Sequence, residues 1–200
     1  VTVANGNLVI TATDAPYSGK AYRSGKVESK WSKQYGRWEI RAKLPGTQGT
    51  WPAIWLLPDT QNNPWPSQGE IDIMENRGDK PHIITSAYHW GPNSQGRKFL
   101  TDKLEIFQED RLVDFTNSFH TFAVVWNDQE LRFFVDDNQH FSIDNDSTGG
   151  FLANQTARVE INLNVAVGGD YLGSEQPDKT SNWPQQMLID YVRVYERTRQ

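Results

Sequence analysis

Residues 36–44 read GRWEIRAKL. Trp38, Ile40, Ala42 and Leu44 occupy one parity of this stretch, and Arg37, Glu39, Arg41 and Lys43 the other. Successive side chains of an extended chain point to opposite faces, so the pattern predicts a half-buried strand. The same alternation recurs on either side of it. NLVITAT (7–13), HTFAVVW (120–126), ELRFFVD (130–136) and MLIDYVRVY (187–195) all read as strands. Turn signals separate them, with NG at 5–6, LPG at 44–46, GP at 91–92, TGG at 148–150 and GGD at 168–170. Helical periodicity is nearly absent, and at most one turn is expected near 108–114. Many short antiparallel strands with such turns predict an all-β chain, a jelly-roll sandwich of two sheets. At 200 residues the chain suits a single domain with a sizeable core, residues 1–200.

Composition narrows the function. The net charge is −5 and the basic residues form no runs, which argues against nucleic acid or an anionic membrane surface as partner. No apolar run reaches the roughly 18 residues of a membrane span. There is no cysteine, so disulfides and thiolate metal sites are excluded. The chain starts at Val1 rather than Met, which points to processing or trimming upstream. Eight tryptophans are more than a core of this size usually needs, and surplus exposed aromatics suit a flat, partly apolar ligand such as a sugar ring.

In VEINLNVAVGG (159–169), Val159, Ile161, Leu163, Val165 and Val167 share one face. Glu160, Asn162 and Asn164 share the other, either lining a wet, sugar-binding surface or facing solvent.

Residues 69–76 read GEIDIMEN and break plain alternation. Glu70 and Asp72 share a face, but strict parity would drive Glu75 into the core, where an unpaired carboxylate is costly. If Ile73 and Met74 both point inward, the strand holds one extra residue, a β-bulge, and Glu75 rejoins the face of Glu70 and Asp72. The two glutamates then stand about four strand steps apart, ~13 Å between Cα atoms at ~3.3 Å per step. Side chains reaching roughly 3.5–4 Å each bring the carboxyls to about 5–6 Å on a concave sheet. Retaining glycosidases use a separation of roughly 5–5.5 Å and inverting ones roughly 6.5–9.5 Å. Crowded like charges raise at least one pKa, which suits one ionised nucleophile beside one protonated acid. Two neighbouring charges, on Glu70 and Asp72, are expected to raise that of Glu75. The competing readings of the cluster are surface acids or a calcium site.

These residues resemble the active-site strand of glycoside hydrolase family sixteen in its bulged form, with laminarinases, endo-β-1,3-glucanases, as the nearest match. The resemblance extends through SGKVESK (24–30), YGRWEIRAKLP (35–45), GTWPAIWLLP (49–58), YHWGP (88–92), FHTFAVVW (119–126), NLNVAVGG (162–169) and WPQQMLIDYVRVYE (183–196). It implies a jelly roll with an open cleft across its concave sheet. It further implies Glu70 as nucleophile, Glu75 as acid/base and Asp72 as their hydrogen-bonding assistant. Trp65 resembles the aromatic at the subsite of cleavage, Trp51 and Trp55 a cleft-lining pair, and His89 a cleft histidine. For each tryptophan core packing is the competing role, and it is the expected one at Trp38 and Trp126. The family's segment upstream of NGNLVITAT is missing from this sequence, which leaves a sheet edge to be covered. That segment normally completes a structural calcium site with an Asp of the last strand, here Asp190.

The implied protein is a secreted, monomeric enzyme, extracellular or periplasmic, that cleaves β-glucan and needs no cofactor for catalysis. Mixed-linkage β-1,3-1,4-glucan and galactans are the alternative substrates. A non-catalytic glucan-recognition protein is the alternative class, against which all three acids speak. An unrelated lectin-like jelly roll is the third.

Overall fold

The computed structural model describes residues 1–58 and 64–196. In chain order the strands are β1 (Thr2–Ala4), β2 (Asn7–Ala12), β3 (Lys26–Glu28), β4 (Gly36–Lys43) and β5 (Thr50–Pro58). Next come β6 (Glu70–Arg77), β7 (Lys80–Trp90), β8 (Lys98–Leu104), β9 (Phe107–Gln108) and β10 (Arg111–Leu112). The last are β11 (His120–Trp126), β12 (Glu130–Val135), β13 (Asn138–Asp144), β14 (Val159–Val167) and β15 (Gln185–Tyr195).

Two antiparallel sheets face each other, as the alternating pattern predicts. One runs β1-β2-β15-β4-β11-β12-β13 and the other β3-β14-β5-β6-β7-β8. Their inward faces supply the core. Trp38, Ile40 and Ala42 of β4 and Phe122, Val124 and Trp126 of β11 are all buried on one side. Ile54, Leu56, Ile71, Ile84 and Tyr88 are buried on the other. Each such large apolar side chain contributes about 1.5–3 kcal/mol by leaving water. Trp38 and Trp126 are core residues, as their parity requires.

The Asn5–Gly6 turn joins β1 to β2 with both residues in the left-handed region, φ 51° and 79°, the geometry of a two-residue hairpin. β1 thereby covers the outer edge of β2, Thr2 opposite Val9, so the edge expected to lie open is paired here.

Three local expectations are corrected. The helical turn near 108–114 is a tight hairpin between β9 and β10, with Glu109 and Asp110 at φ 50° and 58°. A short helix forms instead at Phe151–Asn154. MLIDYVRVY does not alternate throughout: Ile189 opposes Ala42 and Tyr191 opposes Arg41, so Asp190 is an extra residue. Val192 and Val194 are consequently aligned with the inward-facing Ile40 and Trp38.

Candidate active site

The outer face of the six-stranded sheet carries the three carboxylates. Opposite β5, Met74 pairs with Ile54 and Asp72 with Trp55, leaving Ile73 over. Opposite β7, Asp72 pairs with Ala87 and Glu75 with Thr85, so Ile73 and Met74 together face Ser86. This is the bulge expected from the paired apolar residues, and both are buried. It returns Glu75 to the face of Glu70 and Asp72.

The bulge is supported from beneath. The Ser86 hydroxyl, fully buried, donates to the Ile73 carbonyl at 2.8 Å. His140 Nε2 lies 3.2 Å from the same hydroxyl. His140 belongs to the opposite sheet and is itself the extra residue of a bulge: Phe133 pairs with Phe141 and Phe134 with Gln139. At the start of β6, Gly69 has φ 80°, and a Cβ there would meet Gln155 and the Tyr88 hydroxyl at 2.9 Å. Only glycine allows the chain to enter the strand so close to that pair.

Each outer carboxylate is held by an indole. Trp65 Nε1 donates to Glu70 Oε2 at 2.5 Å, and Trp51 Nε1 donates to Glu75 Oε1 at 2.8 Å. Trp51 stacks on Tyr171 with ring centroids 4.9 Å apart, and the Tyr171 hydroxyl donates to Thr85. Trp55 Nε1 donates to Asn164 Oδ1 at 2.7 Å. His89 Nε2 approaches Asp72 Oδ2 to 3.0 Å, off the line that a hydrogen bond would take, since that oxygen has no hydrogen-bond donor. A cavity of about 200 Å³ opens among Trp51, Trp55, Glu70, Asp72, Glu75 and Asn164.

Of the residues expected to touch a ligand, the structure gathers Trp51, Trp55, Trp65, His89 and Asn164 around the acids. It separates two. Glu160 lies farther along β14, level with Leu57. Asn162, level with Trp55 and Glu28, is 1% exposed, so it neither faces solvent nor lines a wet surface. Sequence reasoning did not identify Tyr171, although its place just after the GGD turn puts it within reach of the cleft.

Burial dominates the electrostatics. Removal from water, then the charge of Asp72, pushes Glu70 up to about 8, against the opposing Trp65 N–H. Burial pushes Glu75 up to about 6, opposed first by the Trp51 N–H. Asp72 is raised well above the usual carboxylate range, by burial and then by Glu75. Burial lowers His89, which favours the neutral ring. The expected cause, neighbouring charge, is therefore secondary: desolvation leads at Glu75, and Asp72 is absent from its causes.

The residues present do not fit a calcium site at Asp190. Its carboxylate is paired with Arg41, 2.6 Å away, and a guanidinium repels a cation from that place. Among the described residues the one ligand cluster is Glu70, Asp72 and His89, with ligand atoms within 4.8 Å of one another. It offers a nitrogen and two carboxylates, one of them already accepting an indole N–H, where calcium takes six to eight oxygens.

The model for glycosyl hydrolases family 16 matches residues 1–193. The chain is 36% identical to a beta-glucanase of Rhodothermus marinus over 208 aligned positions, covering 96% of this chain and 69% of that protein. It is 34% identical to glucan endo-1,3-beta-glucosidase A1 of Niallia circulans, covering 88% of this chain but 26% of that protein. The laminarinase catalytic domain of Thermotoga maritima superimposes with a TM-score of 0.85 at 33% identity, covering 99% of this chain and 80% of that one.

Proposed function

The chain belongs to glycosyl hydrolase family 16, and from that premise we propose that it hydrolyses internal linkages of β-1,3-glucan, of the laminarin type, with retention at the anomeric carbon. The observation that carries the reading is the bulged strand, which sets Glu70, Asp72 and Glu75 on one face with an indole N–H on each glutamate. Glu70 attacks the anomeric carbon while Glu75 protonates the departing glycosidic oxygen, and the C–O bond breaks to leave a glycosyl ester. Glu75, now a carboxylate, takes a proton from water, whose oxygen displaces Glu70 and releases a sugar of unchanged configuration.

The proton count allows this division, although burial alone favours the proton on Glu70, the more strongly raised of the two. Between about 6 and about 8 the two glutamates together hold one proton. Turnover requires it on Glu75. Asp72 raises Glu70 and so opposes that placement. Positive charge developing at the anomeric carbon favours the charge on Glu70 and with it the proton on Glu75. Trp51, Trp55 and Trp65 offer apolar ring faces to the C–H faces of sugars.

The same reading makes residues 1–200 one catalytic domain and the protein a secreted monomer, the latter checked by sedimentation. No helix among the described residues is long and apolar enough to cross a membrane. The test is product analysis on laminarin, lichenan and agarose, with Glu70→Ser as control. Laminari-oligosaccharides from laminarin, lost by at least about a thousandfold in the variant that still binds glucan, are expected. Cleavage of lichenan or agarose alone would reassign the substrate to mixed-linkage glucan or galactan.

A further inference from the structure

β8 is the edge strand of the cleft sheet, and its residues have no place in the mechanism above. Phe99 lies opposite His89, which lies opposite Glu70, so the three form one row across the sheet on the cleft face. Phe99 is 50% exposed although it is large and apolar. Its ring centroid is 5.6 Å from that of His89, which is 6.0 Å from that of Trp65. The Arg97 guanidinium lies 4.9 Å from the Phe99 ring and 5.6 Å from the Trp65 ring. Among the described residues Arg97 has no ion-pair partner. The cleft wall thus continues past the acids as an exposed aromatic face with an array of N–H donors beside it.

A sugar ring presents apolar C–H faces and an equatorial rim of hydroxyls. An exposed phenyl ring accepts the first, and a guanidinium, which has five N–H donors and no acceptor, suits the second. Phe99 stands two strand spacings from Glu70, about 10 Å, which is beyond the ring undergoing cleavage. We propose that Phe99 and Arg97 form a distal sugar-binding platform at the β8 edge, which makes the enzyme favour longer glucan chains. This rests on the β-1,3-glucan reading given above. Phe99 stacks on the distal ring, and Arg97 fixes that ring's hydroxyls.

The test is kcat/KM for laminari-oligosaccharides from the trimer to the hexamer, in the parent, Phe99→Ala, Phe99→Trp and Arg97→Gln. Loss of one stacked sugar is expected to cost Phe99→Ala about 3–10-fold on the hexamer, mainly in KM, with a smaller loss on each shorter chain. Phe99→Trp restores the parent values. Arg97→Gln follows the same length dependence. Because Phe99 is half exposed, its removal opens no cavity, and the thermal midpoint of Phe99→Ala stays with the parent. A loss equal at every chain length, or no loss, overturns the platform. If the parent cleaves none of the series, the β-1,3-glucan reading fails on its own. The platform is then judged by affinity electrophoresis in laminarin, where retardation of Phe99→Ala equal to that of the parent overturns it.

Discussion

Two strands of this molecule carry one residue too many, and they use the surplus differently. In β6 the extra residue is apolar and buried, both neighbouring strands adjust to it, and a serine hydroxyl holds its carbonyl from below. In β15 the extra residue is Asp190, half exposed and tied to Arg41, and β2 ceases to pair just before it, at Ile189. The β6 bulge is followed at once by Glu75, which it turns to the outer face, and the β15 bulge realigns Val192 and Val194 with Ile40 and Trp38. Only the first aims a carboxylate at a cleft. A bulge is therefore a device for conserving face, and its chemistry depends on what stands directly after it and on how firmly its backbone is held.

Removing one charge beside each bulge separates the two most widely. Glu75→Gln is expected to lower kcat on laminarin by about 10²–10⁴-fold, the usual worth of a positioned proton donor, while circular dichroism stays unchanged. A loss of less than tenfold would make the β6 bulge no more chemical than that of β15.

The pH response comes next. The profile of kcat/KM is expected to be bell-shaped, with limbs near 6 and 8, because the pair must hold one proton. Stability has a matching signature. Glu70 is raised on folding, so its contribution is fully present below the unfolded pKa near ~4.3 and is lost as pH rises through about 8. Glu70→Gln should then match the parent in thermal midpoint at pH 4 and exceed it at pH 8. A variant less stable than the parent at pH 8 contradicts the burial account.

Ser86→Ala probes the support under the β6 bulge. It leaves the Ile73 carbonyl without its donor and is expected to cost about 1–3 kcal/mol in chemical denaturation, with a fall in kcat. An unchanged kcat would mean that the bulge holds its shape unaided. The smallest effect belongs to β15. Asp190→Asn removes a part-exposed ion pair and should change stability by less than about 1 kcal/mol. Added EDTA is expected to leave the thermal midpoint where it was, and a fall of several degrees would restore a metal to that strand.

The sequence made the β6 bulge legible because two adjacent apolar residues, Ile73 and Met74, cannot both fit plain alternation beside acids. It concealed the β15 bulge because Asp190 and Tyr191 are acceptable on an outer face in either register. The hairpin at 107–112 was hidden for a similar reason, since Glu109 and Asp110 adopt left-handed backbone without a glycine to mark it. Asn162 was misjudged because parity assigns a face but not what covers it. The gathering of the acids on one face was legible in their spacing, and that of Trp51, Trp55, Trp65 and His89 beside them in the family resemblance. Tyr171 and Phe99 act across the sheet and come from segments whose local pattern says nothing about their partners. The leading cause of the raised carboxylates, burial, likewise depends on the assembled fold and not on the spacing of charges along the chain.

The contact from His140 through Ser86 to Ile73 has a mechanical consequence. The floor of the cleft is not shaped by its own layer alone, because a strut from the far layer bears on it at the point where its weave is irregular. The far end of that strut is in β13, at the rim of the back sheet. A survey of random variants scored only for turnover should therefore find a sensitive spot at His140, on the side of the molecule turned away from the substrate.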